Sequence, residues 1–370
     1  MLDREATIVL NMIPGIGHVR YTALKEAFGS PAAVFGRTAE ELEAVPGVGP
    51  QLAEKVASYD WEAGLRAELD LCDRAGVRIL TLWDEAYPQI LRTLYDPPLC
   101  LYVRGKLPPF PNNAVAVVGT RRMTPYGQQM ADRLIGELAD RVPDTVIVSG
   151  LAFGIDTACH RAALAFGMPT VGIIASALPG ITPAQHTAVA RDMIEHGGAV
   201  VSELHSQTRQ NGNFYHSRNR LLAGISGGTV VVESPAEGGS MDTARLADGY
   251  NRTLMAVPGR ATDFASAGTN LLIRTQRAQM VCTGEDIVRE MMWDQNRPGD
   301  LIDRPTAAPA ALTRDEEGLR LCFRTDDPIS AEELCELSGL GFGELSALLL
   351  GLEMAGAVRQ LPGNRYMKLI

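Results

Sequence analysis

Between residues 114 and 257 short apolar runs alternate with longer stretches of helical period, and this alternation limits the fold more than any other feature. The runs are Ala114–Val118, Val146–Ser149, Val171–Ala175, Ala199–Ser202, Thr229–Glu233 and Thr253–Val257. They are apolar on both faces, which predicts strands covered on both sides. Helical patterns lie between most of them, among them Pro125–Asp140, Thr157–Phe166, Pro183–His196 and Met241–Asn251. Strand and helix in alternation predict an α/β, Rossmann-like, doubly wound and mostly parallel sheet.

The flanks have other periods. Residues 1–60 read as short helices punctuated by two similar turns, Ile13-Pro14-Gly15-Ile16-Gly17 and Val45-Pro46-Gly47-Val48-Gly49. Each opens a helical pattern, His18–Phe28 and Pro50–Ser58, as in a helix-hairpin-helix (SAM-like) module. Such a turn lets backbone approach a phosphate, with Arg20, Lys25 and Lys55 nearby, and it also serves as a purely structural module. Residues 61–110 read as a connector packing on the core, with a helix at Trp61–Ala75 and a strand at Arg78–Trp83. The core is expected over 111–292 and a Pro- and Ala-rich linker over 293–315. Residues 316–370 give two amphipathic helical patterns and a hairpin around Pro362-Gly363-Asn364, the outline of a winged helix. Its second helix carries Glu344 and Glu353 with no cation before Arg359, which suits protein contact better than reading base edges.

Charge excludes one class. With 34 Lys and Arg against 44 Asp and Glu, the net charge of -10 rules out binding polyanions by bulk charge. Any nucleic-acid site must concentrate cations locally. The six cysteines have no C-x-x-C spacing and suit a reducing compartment, so the cytoplasm is expected. The start of the chain does not read as a secretory signal, no membrane association is expected, and no metal-ligand cluster stands out.

In an open α/β sheet ligands bind beyond the carboxyl ends of the strands. Four loops are expected there: Gly119-Thr120-Arg121-Arg122, Ser149 to Asp156, Glu237-Gly238-Gly239-Ser240 and Pro258-Gly259-Arg260. Glycines, hydroxyls, arginines and helix starts together predict a phosphate site. Neither a Walker loop nor G-x-G-x-x-G is present, so no nucleotide cofactor is expected. Phe214-Tyr215-His216-Ser217-Arg218-Asn219-Arg220 interleaves arginine with aromatics, as suits a single strand. Arg218 and Arg220 could instead pair with Glu203 or Glu233. Being two apart, only one is expected to face a ligand. Cys159 beside His160 reads as a buried thiol, not half of a catalytic dyad.

The ordered motifs VVGTRR, SGLAFGID with a histidine four residues on, SE, FYHSRNRLLAGIS, VVVES, GGSMDTA, AVPGR and GTNLLI resemble the DprA (Smf) family of DNA-processing proteins over roughly residues 80–285. The resemblance implies a non-enzymatic homodimer that binds and protects single-stranded DNA and helps load the RecA recombinase in natural transformation. It implies a DNA site of Gly119, Thr120, Arg121, Arg122, Phe153, His160, Phe214, Arg218, Asn219, Arg220, Ser240 and Thr243. His160 reads equally well as a packing residue. Two departures stand out. Asp242 puts a carboxylate in the glycine-serine loop, which Arg121 or Arg252 would have to neutralise. Ile181 to His186 replaces the family's Tyr-Pro-plus-Asn stretch. The competing reading is a Rossmann-like enzyme of the nucleotide phosphoribohydrolase type, kept open by Asp242 and Glu237. Against it, that group's loop ends in Gly-Thr before a catalytic Glu.

Overall fold

The computed structural model describes residues 1–108, 113–209, 214–293, 313–323, 329–354, 357–361 and 365–368. They fall in two compact units, Met1–Trp293 and Asp294–Ile370. Most of the expected linker, 294–312, lies outside the described residues.

The first unit opens with helices α1 (Asp3–Met12), α2 (His18–Phe28), α3 (Ala39–Glu43), α4 (Pro50–Ala57) and α5 (Trp61–Ala75). The two Pro-Gly turns precede α2 and α4, with Gly15 at φ 103° and Gly47 at φ 84°. Strand β1 (Val77–Thr81), helix α6 (Gln89–Arg92) and strand β2 (Cys100–Gly105) follow. The alternating region then gives β3 (Ala114–Val118), α7 (Pro125–Arg141), β4 (Val146–Ser149), α8 (Ile155–Ala165), β5 (Thr170–Ile173), α9 (Thr187–Glu195) and β6 (Ala199–Ser202). It continues with α10 (Phe214–Gly224), β7 (Gly228–Val231), α11 (Gly239–Gly249), β8 (Thr253–Ala256), α12 (Ala267–Arg274), β9 (Gln279–Met280) and α13 (Gly284–Glu290).

Among the described residues the sheet runs β1-β2-β6-β5-β4-β3-β7-β8-β9. From β6 to β9 every pairing is parallel, and β1 and β2 extend that sheet antiparallel. The connector thus supplies two strands of the sheet itself. Alternation along β3 sends Val115 and Val117 to one face, against Leu134 and Leu138 of α7 and Ala158 and Ala162 of α8. Ala114, Ala116 and Val118 face Leu221, Leu222 and Ala244 of α10 and α11. A further core binds the N-terminal helices to the sheet: Ile8, Leu10, Leu24, Val34 and Leu42 share it with Tyr102, Leu151, Met193 and Val200. The chain winds outward from β3 through β6, then returns to β7 on the other side of β3. That reversal is a topological switch point, and it opens a crevice at the carboxyl end of β3.

The second unit contains α14 (Arg314–Arg320), strand β10 (Ile329–Ser330), α15 (Ala331–Ser338), α16 (Phe342–Met354), β11 (Val358–Leu361) and β12 (Arg365–Lys368). Ser330 caps α15 in a reciprocal box with Glu333. Leu319, Leu334, Leu345, Leu349, Val358 and Tyr366 form its core. The expected hairpin is joined by β10, giving a three-stranded sheet β10-β12-β11 and a winged helix.

Candidate functional site

The crevice at the switch point is a pocket of ≈ 330 Å³, within the range of small-ligand sites. Its walls come from three places: Gly119-Thr120-Arg121 after β3, one face of α10, and Gly238-Gly239-Ser240 with Thr243 at the start of α11. Tight packing behind the first loop explains its glycines. A Cβ on Gly119 would press on Ile155 and the Glu233 carbonyl. Gly154 has φ 78°, and a Cβ there would overlap the Thr120 carbonyl. The loop is also pinned from below, because the Thr120 N–H donates to the Glu233 carbonyl at 2.7 Å. Ser240 Oγ donates to Ser234 Oγ at 2.8 Å, Thr243 Oγ1 donates to the Gly239 carbonyl at 3.1 Å, and Asn219 Nδ2 reaches the same carbonyl at 3.2 Å. At the start of α11 the Met241 and Asp242 N–H groups donate to the Gly238 carbonyl, while Gly239 and Ser240, whose N–H groups have no partner among the described residues, line the pocket from this fixed frame.

Helix α10 settles which of the clustered arginines and aromatics take part. Tyr215, Arg218, Asn219 and Leu222 line the pocket. Their spacing of three, four and seven is one face of a helix. Phe214, at the first position of the helix, is not in the lining, so the aromatic wall is Tyr215 instead. The Arg121 guanidinium lies 4.8 Å from the Tyr215 ring centroid, an exposed cation on an aromatic face. Arg220 points the other way. It pairs with Glu203, donates to the Asp96 carbonyl at 2.7 Å, and is a structural residue.

The pocket floor carries a buried pair, Asp156 and Arg218, each 6% exposed. Burial pushes the Asp156 carboxyl up while the neighbouring Arg218 pulls it down, and burial lowers Arg218. A Cβ on Gly150 would overlap both groups. Asp156 also accepts from the Ala152 N–H at 3.4 Å, and the Ile155 N–H donates to the Thr120 carbonyl. The start of α8 is thus engaged within the protein, whereas the start of α11 is open to the pocket.

Several expectations need correction. His160 is fully buried; its Nδ1 is 2.7 Å from Thr170 Oγ1, whose hydroxyl donates to the Ile147 carbonyl, so His160 carries the Nδ1 proton. Burial pushes this imidazole down to about 3, helped by nearby His186 and Arg218. No ligand reaches it from the pocket. Arg122 is exposed but absent from the lining. Arg252 faces α6 and α10 and donates to the carbonyls of Ile90 and Gly224. Asp242 is neutralised by Arg245, with His216 Nδ1 at 3.2 Å, not by Arg121 or Arg252. Glu233 pairs with neither arginine. It accepts from Thr124 N–H at 2.9 Å and from Thr124 Oγ1 at 2.6 Å. The loop at Pro258 to Arg260 is tied to Asn270 and does not reach the pocket, so three of the four loops converge there. Phe153 lies beside the pocket, 46% exposed.

The N-terminal module keeps two of its three candidate cations at home. Arg20 donates to the Gly47 and Gly15 carbonyls at 2.8 and 2.6 Å, clamping the two turns together. Lys25 sits 4.9 Å from the Trp83 ring centroid. Among the described residues no three His, Cys, Asp or Glu groups are placed to hold a metal ion, and no single helix is long and apolar enough to cross a membrane.

Comparison with known proteins agrees along the chain. Residues 8–58 match the SAM-like helix-hairpin-helix tandem and residues 303–364 match the DprA winged helix domain. The putative DNA processing protein DprA of Mycobacterium tuberculosis is 33% identical over 328 residues, 84% of this chain and 82% of its own. The X-ray structure of DNA processing protein A from Streptococcus pneumoniae aligns at TM-score 0.65 and 27% identity, covering 78% of this chain and 98% of that one. DNA processing protein A from Helicobacter pylori, described for its single-stranded DNA binding mode, aligns at TM-score 0.51 and 30% identity over 60% of this chain and 98% of that one. Residues 78–292, which hold the whole switch-point pocket, match DNA recombination-mediator protein A, and the chain belongs to that DNA-processing family, the DprA/Smf proteins.

Proposed function

We propose that the switch-point pocket binds single-stranded DNA without turning it over. The carrying observation is Arg121 laid on Tyr215 beside the glycine loop and the open start of α11. This places a cation and N–H donors for a phosphate within one pocket of an aromatic face for a base. Gly119, Thr120, Ser240, Thr243 and Asn219 supply close backbone approach and short polar groups, and the Arg218–Asp156 pair holds the floor. Duplex DNA hides its base faces, so the site selects single strands. The carboxylates support the non-catalytic reading. Asp156 lines the pocket but is buried beside Arg218 and accepts from the Ala152 N–H, and Asp242, outside the lining, is held by Arg245 and His216. Neither is free to act as a general base, which disfavours the phosphoribohydrolase reading.

In this reading the protein is a cytoplasmic homodimer that shields incoming single strands and helps load the RecA recombinase in natural transformation. The winged helix, with Phe342 and Leu350 exposed on α16, serves protein contact. The test is fluorescence anisotropy with labelled oligo-dT and a duplex of equal length. Arg121→Ala is expected to weaken oligo-dT binding about ten- to a hundredfold, since a charge-assisted contact contributes roughly 1.5–3 kcal/mol. Wild-type affinity in the folded variant, or equal affinity for duplex, removes this pocket as the DNA site. Release of free base from nucleoside monophosphates, abolished by Asp242→Asn, would establish the enzyme instead.

A further inference from the structure

The pocket does not close at Arg121 and Tyr215. With Ala152, both also line a smaller hollow of ≈ 80 Å³ that runs past Gly150 and Pro183 to Phe153. Phe153 in turn walls a third hollow of ≈ 270 Å³. The other wall of that hollow is the N-cap and one face of α8, where Gly154, Thr157, Ala158 and Arg161 recur at helical spacing. A rise of about 1.5 Å per residue carries Arg161 roughly 10 Å along the helix from Gly154.

Two features of this hollow suit one ligand chemistry. The Phe153 ring is exposed yet fixed: His186 meets it edge-on at 4.7 Å between centroids, and His186 Nδ1 is 2.8 Å from the Leu151 carbonyl. An aromatic face held in place loses little entropy on stacking. Arg161 is exposed and, among the described residues, has no hydrogen-bond or ion-pair partner, unlike Arg220 and Arg252. The exposed Gln185 side chain lines the same hollow, from the 181–186 stretch where this sequence departs from its family. On the α7 side Gln128 gives its Nε2 to Asp132 at 2.9 Å, leaving its carbonyl oxygen unused by that contact.

We propose that this hollow is a second nucleotide subsite, in which the next base of a single strand stacks on Phe153 and its phosphate pairs with Arg161. The proposal rests on the single-strand reading of the switch-point pocket. It gives the strand a course, from the start of α11 past Tyr215 and Phe153 and down α8.

The full chain is compared with Arg161→Ala, Arg161→Lys and Arg121→Ala, each checked for an unchanged melting temperature. Thymidine monophosphate, which fills one pocket, is followed by ligand-observed NMR. Oligo-dT of about ten nucleotides, a length within the usual site sizes of single-strand binders, is followed by anisotropy over a salt series. Arg161→Ala is expected to weaken oligo-dT about tenfold and to make the log–log salt slope shallower by about 0.7. Its binding of thymidine monophosphate stays at the wild-type level. Arg161→Lys restores the slope and part of the affinity. Arg121→Ala weakens both ligands. Wild-type oligo-dT affinity and slope in Arg161→Ala overturn the subsite, even when Arg121→Ala behaves as expected. A loss confined to Arg161→Ala, with Arg121→Ala silent, keeps the subsite and removes the switch-point pocket.

Discussion

Burial holds the His160 imidazole neutral far below the pH at which an unfolded chain would protonate it. Its folded value is lowered from 6.5 to about 3, so the unfolded state binds the proton first as pH falls. The stabilisation is complete above pH 6.5 and is lost as pH falls toward 3, with a limiting slope of about 1.4 kcal/mol per pH unit. Urea melts at intervals between pH 7 and 4 read that slope. His160→Gln, though less stable at neutral pH, is expected to have a shallower one, and parallel curves would assign the acid sensitivity elsewhere. This residue also marks a limit of reading by motif. A histidine after SGLAFGID has the same letters whether it faces a ligand or the core. Tyr215 is the opposite case. It lies three, four and seven residues before Arg218, Asn219 and Leu222, so a helical reading of that stretch groups it with all three and sets Arg220 on the far side, whereas Phe214 shares that spacing with Arg218 alone of the three.

At the scale of elements, the switch-point loop depends on a cap. Thr124 Oγ1 accepts from the Gly127 N–H at the start of α7 while the Thr124 N–H and hydroxyl donate to the buried Glu233 carboxylate. The Glu233 carbonyl in turn holds Thr120. Thr124→Ala removes the cap and one donor to a buried charge, and is expected to lower stability by about 2 kcal/mol. The urea midpoint measures this, and a shift within error would mean that Glu233 finds another donor. Parallel strands and their helices were legible because fully buried runs of five or so apolar residues have few other solutions. Others were not. β2 lies in a turn-rich region whose sequence reads as a connector, and only tertiary pairing with β1 and β6 makes it sheet. β10 has two residues, too few for any period.

The whole molecule is acidic, and the arginines available for phosphate are fewer than the sequence suggests. Arg220 and Arg252 are held by structural partners and Arg218 is buried beside Asp156, which leaves Arg121, Arg122 and Arg161 exposed. Two or three neutralised phosphates predict a salt slope of about -1.4 to -2 for a short single strand. A slope steeper than about -3 on the same oligonucleotide would mean that a terminal module adds phosphate contacts. The cores explain why domain outlines could be read more easily than their joins. The N-terminal helices look like an independent module in sequence, yet Ile8, Leu24 and Leu42 share a core with Tyr102, Met193 and Val200. That sharing constrains biosynthesis. The helices leave the ribosome first, but the apolar residues that cover them come last, at Met193 and Val200. At roughly 5–20 residues per second the nascent chain carries an uncovered greasy face for on the order of ten seconds, within reach of chaperones, before its own sheet arrives to close over it.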